Sequence, residues 1–367
     1  MRIWQVCSSA SWGGMEMSVG RLAELQRLRG HEVFLAVQPE SPLGRWAVEH
    51  GLPLMPCYES GLRAWSRIPD LARRLKQLDP ELIHVHFSRD LHRLVPLNRL
   101  GHRRPLIFTK HLGSAVKKRN PWYDFLHKNI NRATAISGFV RRNLLETTVL
   151  AEERIDLVYP GTDVHRFRPH EEEREKVRAE LGFKNSEMVV GMMGRMSPGK
   201  GYQDFMEAAS GITRPGVKYL MIGGPSRGEE AYAAWVRRQA EERLAGRLKI
   251  LGFKPDRERY LRALDVFVFP SHAESFGLAL CEAMATGLPC VAYIKDGVED
   301  IIDDGHNGLG ARVREVPDLR QKIIRLLEDD RLRRKLGAAA RATAVEKFSE
   351  ERMLAGYEET YLRAGRR

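Results

Sequence analysis

The sequence predicts an α/β protein built from two doubly wound parallel sheets. Three observations carry that expectation. Short apolar runs alternate with helical patterns along the whole chain. The alternation stops near residue 170 and restarts. The runs are continuously apolar, as in strands buried on both faces, not alternating as in a sheet with one wet face. At 367 residues the chain is long for one domain and comfortable for two.

The elements follow in order. RIWQVCS (2–8), EVFLAVQ (32–38), ELIHVHF (81–87), PLIFTKH (105–111), RATAIS (132–137) and RIDLVYP (154–160) read as strands of the first sheet. Helical spacing fills the gaps, as in EMSVGRLAELQRLRG (16–30) and IPDLARRLKQLDP (68–80). After residue 170, EMVVGMMG, VKYLMIGG, RLKILGF, DVFVFPS, LPCVAYI and GLGARV supply the second set. The break is placed in VHRFRPHEEEREK (164–176), where Pro169 and an acidic run interrupt the pattern. This gives a first domain over 1–170 and a second over 171–348. The segment 349–367 has Met353, Leu354, Tyr357, Tyr361 and Leu362 at helical spacing. Ligands of open α/β sheets bind beyond the carboxyl ends of the strands, so the expected site is a central cleft faced by both sets of strand ends.

Composition narrows the function. The formal net charge is +12, with an isoelectric point near 9.6. The excess is uneven. Residues 1–170 hold 26 Lys/Arg against 16 Asp/Glu, while the remainder is nearly balanced. A polyanionic or membrane-surface partner suits the first half. No aromatic–basic RNA-binding pattern appears, so nucleic acid is not the expected partner. Four dispersed cysteines without a C-x-x-C pair argue for reduced packing cysteines in a cytoplasmic protein and against zinc. No apolar stretch reaches the ~20 residues that span a bilayer.

Three segments carry candidate chemistry. GRMSPGKG (194–201) follows an apolar strand and opens a helix, where free N–H groups and the helix dipole favour an anion. It fits G-x-x-x-x-G-K but has Gly201 where a P-loop has the Ser or Thr that holds magnesium. A metal-free diphosphate site is the preferred reading over an NTPase, with a tight turn bearing two solvated basic residues as the plain alternative. In SHAESFGLALCEAMATGLP (271–289), Glu274 projects from a loop and Glu282 lies two helical turns further on. Either carboxylate can accept from vicinal sugar hydroxyls. For Glu274 the alternative is stabilisation of a helix start. Glu282 lies in an apolar stretch, which calls for a ligand or a buried partner. SSASWGGMEMSV (8–19) places Gly13 and Gly14 in a loop that opens a helix.

Together with YPGTDVHRFRP (159–169), MIGGP (221–225) and KDGVEDIIDDGHNG (295–308), these segments resemble a retaining glycosyltransferase of family four, the E-x7-E type. The resemblance covers nearly the whole chain. It implies the GT-B fold of two Rossmann-like domains, with the N-terminal one for acceptor, the C-terminal one for donor, and a C-terminal helix crossing back to the first. It implies that Arg195 and Lys200 bind the donor diphosphate, Glu274 the donor sugar and Glu282 the ribose. The backbone at Phe276, Gly277 and Leu278 would approach the diphosphate or sugar. Phe253 and Lys254 would lie near the base, and Gly13 and Gly14 near the donor phosphates. His111 resembles the family histidine that contacts the donor sugar.

Ser88, Arg89, Asp90 and His92 sit at a strand end in the basic half and are acceptor-site candidates, with a solvated loop as the alternative. Gly161-Thr162-Asp163 departs from the Asn-Gly-Val-Asp of many relatives. The implied activity is transfer, with retention, from a nucleotide diphosphate sugar, a UDP-sugar being the expected donor. The acceptor would be a glycan or glycolipid such as lipopolysaccharide core, at the inner face of a bacterial membrane. No metal or other cofactor is expected. LRAWSRIPDLARRLKQL (62–78) is a candidate for contact with anionic lipid, or else a helix packed on the sheet. The nearest rival is a nucleotide-sugar hydrolase or epimerase of the same fold.

Overall fold

The computed structural model describes residues 1–57, 68–101, 103–226 and 228–365. They form two compact units. One comprises residues 1–161 with 351–367, the other residues 162–350.

The first unit is a seven-stranded, wholly parallel sheet of order β3-β2-β1-β4-β5-β6-β7. Its strands are β1 (Arg2–Cys7), β2 (Glu32–Val37), β3 (Leu54–Pro56), β4 (Leu82–Val85), β5 (Leu106–Lys110), β6 (Arg132–Ala135) and β7 (Ile155–Leu157). β1 pairs with β2 on one side and β4 on the other, so the strand order reverses between β1 and β4. The second unit has six parallel strands in the order β10-β9-β8-β11-β12-β13. These are β8 (Met188–Met193), β9 (Val217–Ile222), β10 (Leu248–Leu251), β11 (Val266–Phe269), β12 (Cys290–Tyr293) and β13 (Leu309–Ala311). Here the order reverses between β8 and β11. Chain reversal at such a point opens a crevice beyond the strand ends, where ligands of doubly wound sheets collect.

The division falls at 161/162, not at 170/171. Residues 162–170 stay with the second unit because they are tied to it. Thr162 N–H donates to the Phe348 carbonyl. The Arg262 guanidinium donates to the carbonyls of Arg166 and Arg168. Pro169 lies against Gly287, where an added Cβ would meet its Cγ at 3.0 Å.

The last helix (Glu350–Gly365) returns to the first unit. Met353, Leu354, Tyr357, Tyr361 and Ala364 are buried with Ile3, Leu22, Leu82, Ile107 and Val158. Tyr361 Oη accepts from Gln26 Nε2 at 2.8 Å and lies 2.8 Å from His84 Nδ1. His84 Nε2 in turn lies 2.6 Å from Thr109 Oγ1. All four cysteines are buried and free, as the sequence led us to expect.

Burial holds four histidines of this unit neutral: His84 and His86, His111 at a pKa of about 3, and His127 at about 4. Their folded values lie below the unfolded value near 6.5, so the unfolded chain binds more protons once the pH drops below that value. Stability is therefore complete above pH 6.5 and declines toward pH 4, by up to about 1.4 kcal/mol per pH unit for each histidine. Calorimetry at pH 7.5 and pH 5 is expected to show a lower melting temperature at pH 5. An unchanged value would mean that these imidazoles reach solvent.

Candidate functional site

The second unit brings the main candidates together at its reversal point. Loop 194–201 leaves β8, and loop 270–277 leaves the adjacent β11. Two backbone hydrogen bonds lace the first loop in place: His272 N–H donates to the Gly199 carbonyl at 2.8 Å, and Met196 N–H to the Gly224 carbonyl at 2.9 Å.

Gly201 caps the helix Tyr202–Ser210 with φ +75°. A Cβ there would stand 1.9 Å from the Pro270 carbonyl oxygen. The hydroxyl residue of a P-loop does not fit at this position, because the two loops touch through backbone. That closeness lets Lys200 reach across the gap. Its Nζ lies 2.5 Å from Glu274 Oε1, and both side chains are largely shielded. Gly201→Ser, although it completes a P-loop consensus, is expected to cost several kcal/mol of stability through clash and backbone strain. Urea unfolding measures this, and an unchanged midpoint would refute the steric account.

Arg195 is the open cation of the pair. Its side chain is 51% exposed, with Nε 3.5 Å from Glu229 Oε2. Beyond Glu274, Gly277 (φ +134°) caps the helix Leu278–Ala285. The N–H groups of Leu280 and Cys281 donate to the Gly277 carbonyl, and those of Leu278 and Ala279 have no acceptor within the helix. Phe276 is buried and meets Phe348 edge-on at 5.6 Å between ring centres. Its ring is thus engaged in packing, which leaves only its backbone for a ligand.

Glu282 is 7% exposed. Its carboxylate takes two hydrogen bonds from Arg257, at 2.9 and 2.5 Å. The sequence called for a ligand or a buried partner, and the structure supplies the partner. Arg257 starts a short helix (Arg257–Arg262), and its guanidinium lies over the Phe167 ring. Twenty-five residues separate it from Glu282, so no local spacing reveals it. Phe253 (65% exposed) and Lys254, whose ammonium faces the Tyr260 ring at 5.3 Å, follow β10.

In the first unit, the loops after β1 and β4 meet at the other reversal point. Asp90 is fully buried and accepts from Ser8 N–H (2.9 Å), Ser8 Oγ (2.6 Å) and Arg93 Nη2 (2.5 Å). Its carboxylate is committed to joining the two loops, so of the four acceptor candidates it is a scaffold residue. His92 Nδ1 accepts from Trp122 Nε1 at 2.8 Å. Arg89 lies over the Phe87 ring, and Ser88 lines a pocket described below.

Gly13 caps the helix Gly14–Leu28 in an extended conformation, φ −161°. A Cβ there would meet only Glu16, at an ordinary 3.5 Å. Nothing inside this unit therefore requires glycine at 13. His111 directly follows β5, is buried, and sits with Nε2 3.2 Å from His86 Nδ1. His86 Nε2 is 2.6 Å from Gln5 Oε1. Gln5 and His86 fix the imidazole's orientation, and neither stands out in the sequence.

In the described part of 62–78, the helix Ile68–Leu78 buries Leu71 and Leu75 and pairs Arg73 and Arg74 with Asp70. Those apolar residues face protein rather than lipid. Leu62, Arg63, Trp65 and Arg67 lie outside the described residues.

Two parallel sheets, each with a reversal of strand order, define a doubly wound α/β class. The family models for glycosyl transferases group 1 and for Glycosyltransferase Family 4 match residues 173–343 and 12–166. The chain belongs to this glycosyltransferase family.

A D-inositol 3-phosphate glycosyltransferase of Nocardia farcinica is 33% identical over 275 residues, covering 69% of this chain and 60% of that one. The chain thus matches about 60% of the length of that relative. Among solved structures, a glycosyltransferase from Rickettsia africae superposes with TM-score 0.90 at 20% identity, covering 100% of this chain and 98% of that one. Anabaena HepE in complex with UDP-glucose superposes with TM-score 0.84 at 23% identity, covering 98% and 99%. Both share the GT-B fold. Among the described residues, no helix is long and apolar enough to cross a membrane.

Proposed function

We propose that the protein transfers a sugar, with retention of anomeric configuration, from a UDP-sugar to a hydroxyl of a glycan or glycolipid. The Lys200–Glu274 pair at the β8/β11 reversal carries this reading. Without donor, the two charges neutralise each other. A bound diphosphate takes over the Lys200 ammonium, and Glu274 is released to accept hydrogen bonds from hydroxyls of the donor sugar.

Arg195, exposed at the same loop, and the first N–H groups of the helix Leu278–Ala285 add positive potential where the leaving diphosphate gains charge. Gly201 leaves no hydroxyl at the position where a P-loop holds its magnesium, so these cations supply the charge stabilisation. Glu282, oriented by Arg257, accepts from the ribose hydroxyls. Phe253 and Lys254 flank the base. In the first unit, His111, neutral through burial, offers one ring nitrogen to the donor sugar, and Gly13 and Gly14 leave backbone open to the donor phosphates.

As the C1–O bond to phosphate breaks, the acceptor oxygen bonds C1 on the same face. Its proton passes to the departing phosphate oxygen. The two glutamates are not an acid–nucleophile couple, because they serve different parts of the donor.

The basic first unit is assigned to the acceptor, an envelope glycan such as lipopolysaccharide core met at the cytoplasmic face of the membrane. Vesicle flotation that depends on anionic lipid checks the membrane contact.

A thermal-shift panel of UDP-, GDP-, ADP- and CMP-sugars tests the donor, with the UDP-sugar expected to raise the melting temperature most. Ligand at a hundredfold its Kd adds about 2.7 kcal/mol of stability. Proton NMR of the first product tests stereochemistry, and an inverted anomer would overturn the mechanism. Release of UDP at the same rate without acceptor would favour a hydrolase.

A further inference from the structure

The first unit holds two lysines that line the same pocket. Lys110, the last residue of β5, is 8% exposed. Lys118 lies in the loop between β5 and the helix Pro121–Lys128, half-buried beside the Tyr123 ring. Neither has a carboxylate partner among the described residues. Both line one pocket, together with Ser88, Tyr123, His127 and Thr148. His127 is itself buried, and its Nδ1 has no hydrogen-bond partner.

Two like charges sharing a shielded pocket are unfavourable unless an anion joins them. We propose that this pocket is an oxyanion subsite that takes a phosphate monoester group carried by the acceptor. A dianion balances both ammonium groups. Its oxygens also find hydroxyl and imidazole donors in the Ser88, Tyr123 and His127 side chains of the lining. This acceptor assignment rests on the glycosyltransferase reading; the anion site itself does not.

The local field agrees. Burial and then Lys118 bring the Lys110 ammonium down to about 8. Burial, then Lys118 and Arg93, lower His92. For His127 burial again dominates, and Lys118 and Lys110 add to it. Asp90, two residues after Ser88, is buried and already engaged by Arg93 and Ser8. Ser88 also places the pocket beside the loop after β4, where the sequence put the acceptor.

The test is calorimetric titration of the full chain with inorganic phosphate, glucose 6-phosphate and glucose, in saturating UDP and at matched ionic strength. Saturating UDP removes the nucleotide loop of the second unit as a competing phosphate site. Phosphate and glucose 6-phosphate are expected to bind saturably, and glucose is not. Lys118→Gln is expected to weaken both by at least about tenfold, and Lys110→Met likewise, with the UDP thermal shift unchanged.

No phosphate binding by the wild-type chain, or equal affinity in both variants, would overturn the site. Phosphate bound without glucose 6-phosphate would overturn the monoester assignment. A chain that binds phosphate but gives no UDP shift would instead defeat the UDP-donor reading and leave the anion site standing.

Discussion

Lys200→Ala is expected to lower kcat/KM by about 10²–10³, the loss typical for removing one preorganised group that stabilises transition-state charge. The effect should fall on kcat as well as KM, because charge on the leaving diphosphate grows as the glycosidic bond breaks. The variant also leaves Glu274, now a shielded carboxylate, without its partner. A loss of stability of about 1–3 kcal/mol accompanies that. Glu274→Gln separates the two roles. It keeps Lys200 free for diphosphate, so UDP affinity is retained or improved while kcat falls. The double variant Lys200→Met/Glu274→Gln recovers stability but not turnover. Steady-state kinetics and urea unfolding on the four proteins read both quantities. Turnover restored together with stability would show the pair to be structural.

The second large effect lies in the C-terminal helix. Tyr361→Ala is expected to destabilise the first unit by about 3–5 kcal/mol, as for other buried aromatic truncations. It removes a ring packed among Ile3, Leu22 and Leu82, together with the hydroxyl shared by Gln26 and His84. Tyr361→Phe keeps the ring and leaves those two groups short of a partner, for about 1–3 kcal/mol. Deleting 351–367 exposes the whole apolar face that Met353, Leu354, Tyr357, Tyr361 and Ala364 cover, and should prevent the first unit from folding stably. Thermal unfolding followed by calorimetry distinguishes these grades. A truncated chain that melts like the full one would remove the helix from the account of stability.

Much of this architecture was legible because the strands are buried on both faces. Runs such as VVGMM and VFVF carry an unbroken apolar signal, and twelve strands were read from it. The short edge strand β3 (Leu54–Pro56) was missed, since three residues give no period and Pro56 argues against a strand. The domain boundary was set nine residues late, because Pro169 and the acidic run interrupt the pattern locally. The ties that assign 162–170 come from Arg262 and Phe348, distant in sequence.

The loops after β8 and β11 were readable for a different reason. Gly199, Lys200 and Gly201 are contiguous and punctuate a strand-to-helix turn. What stayed hidden was pairing: Arg257 with Glu282, Gln5 with His86 and His111, and Asp90 with Ser8. Each joins residues 25 or more apart, and only the fold makes them neighbours. The Asp90 result shows the cost of reading a polar loop by type alone. A carboxylate that looked available to an acceptor is buried between two loops.

The central claim is that the loop 194–201 grips the donor diphosphate. It is tested most directly by calorimetric titration of UDP into the wild-type chain, Arg195→Ala and Lys200→Ala. The account predicts saturable binding by the wild type, weakened about a hundredfold or more in Lys200→Ala and measurably in Arg195→Ala, with folding intact in both. UDP affinity unchanged in both variants would contradict it.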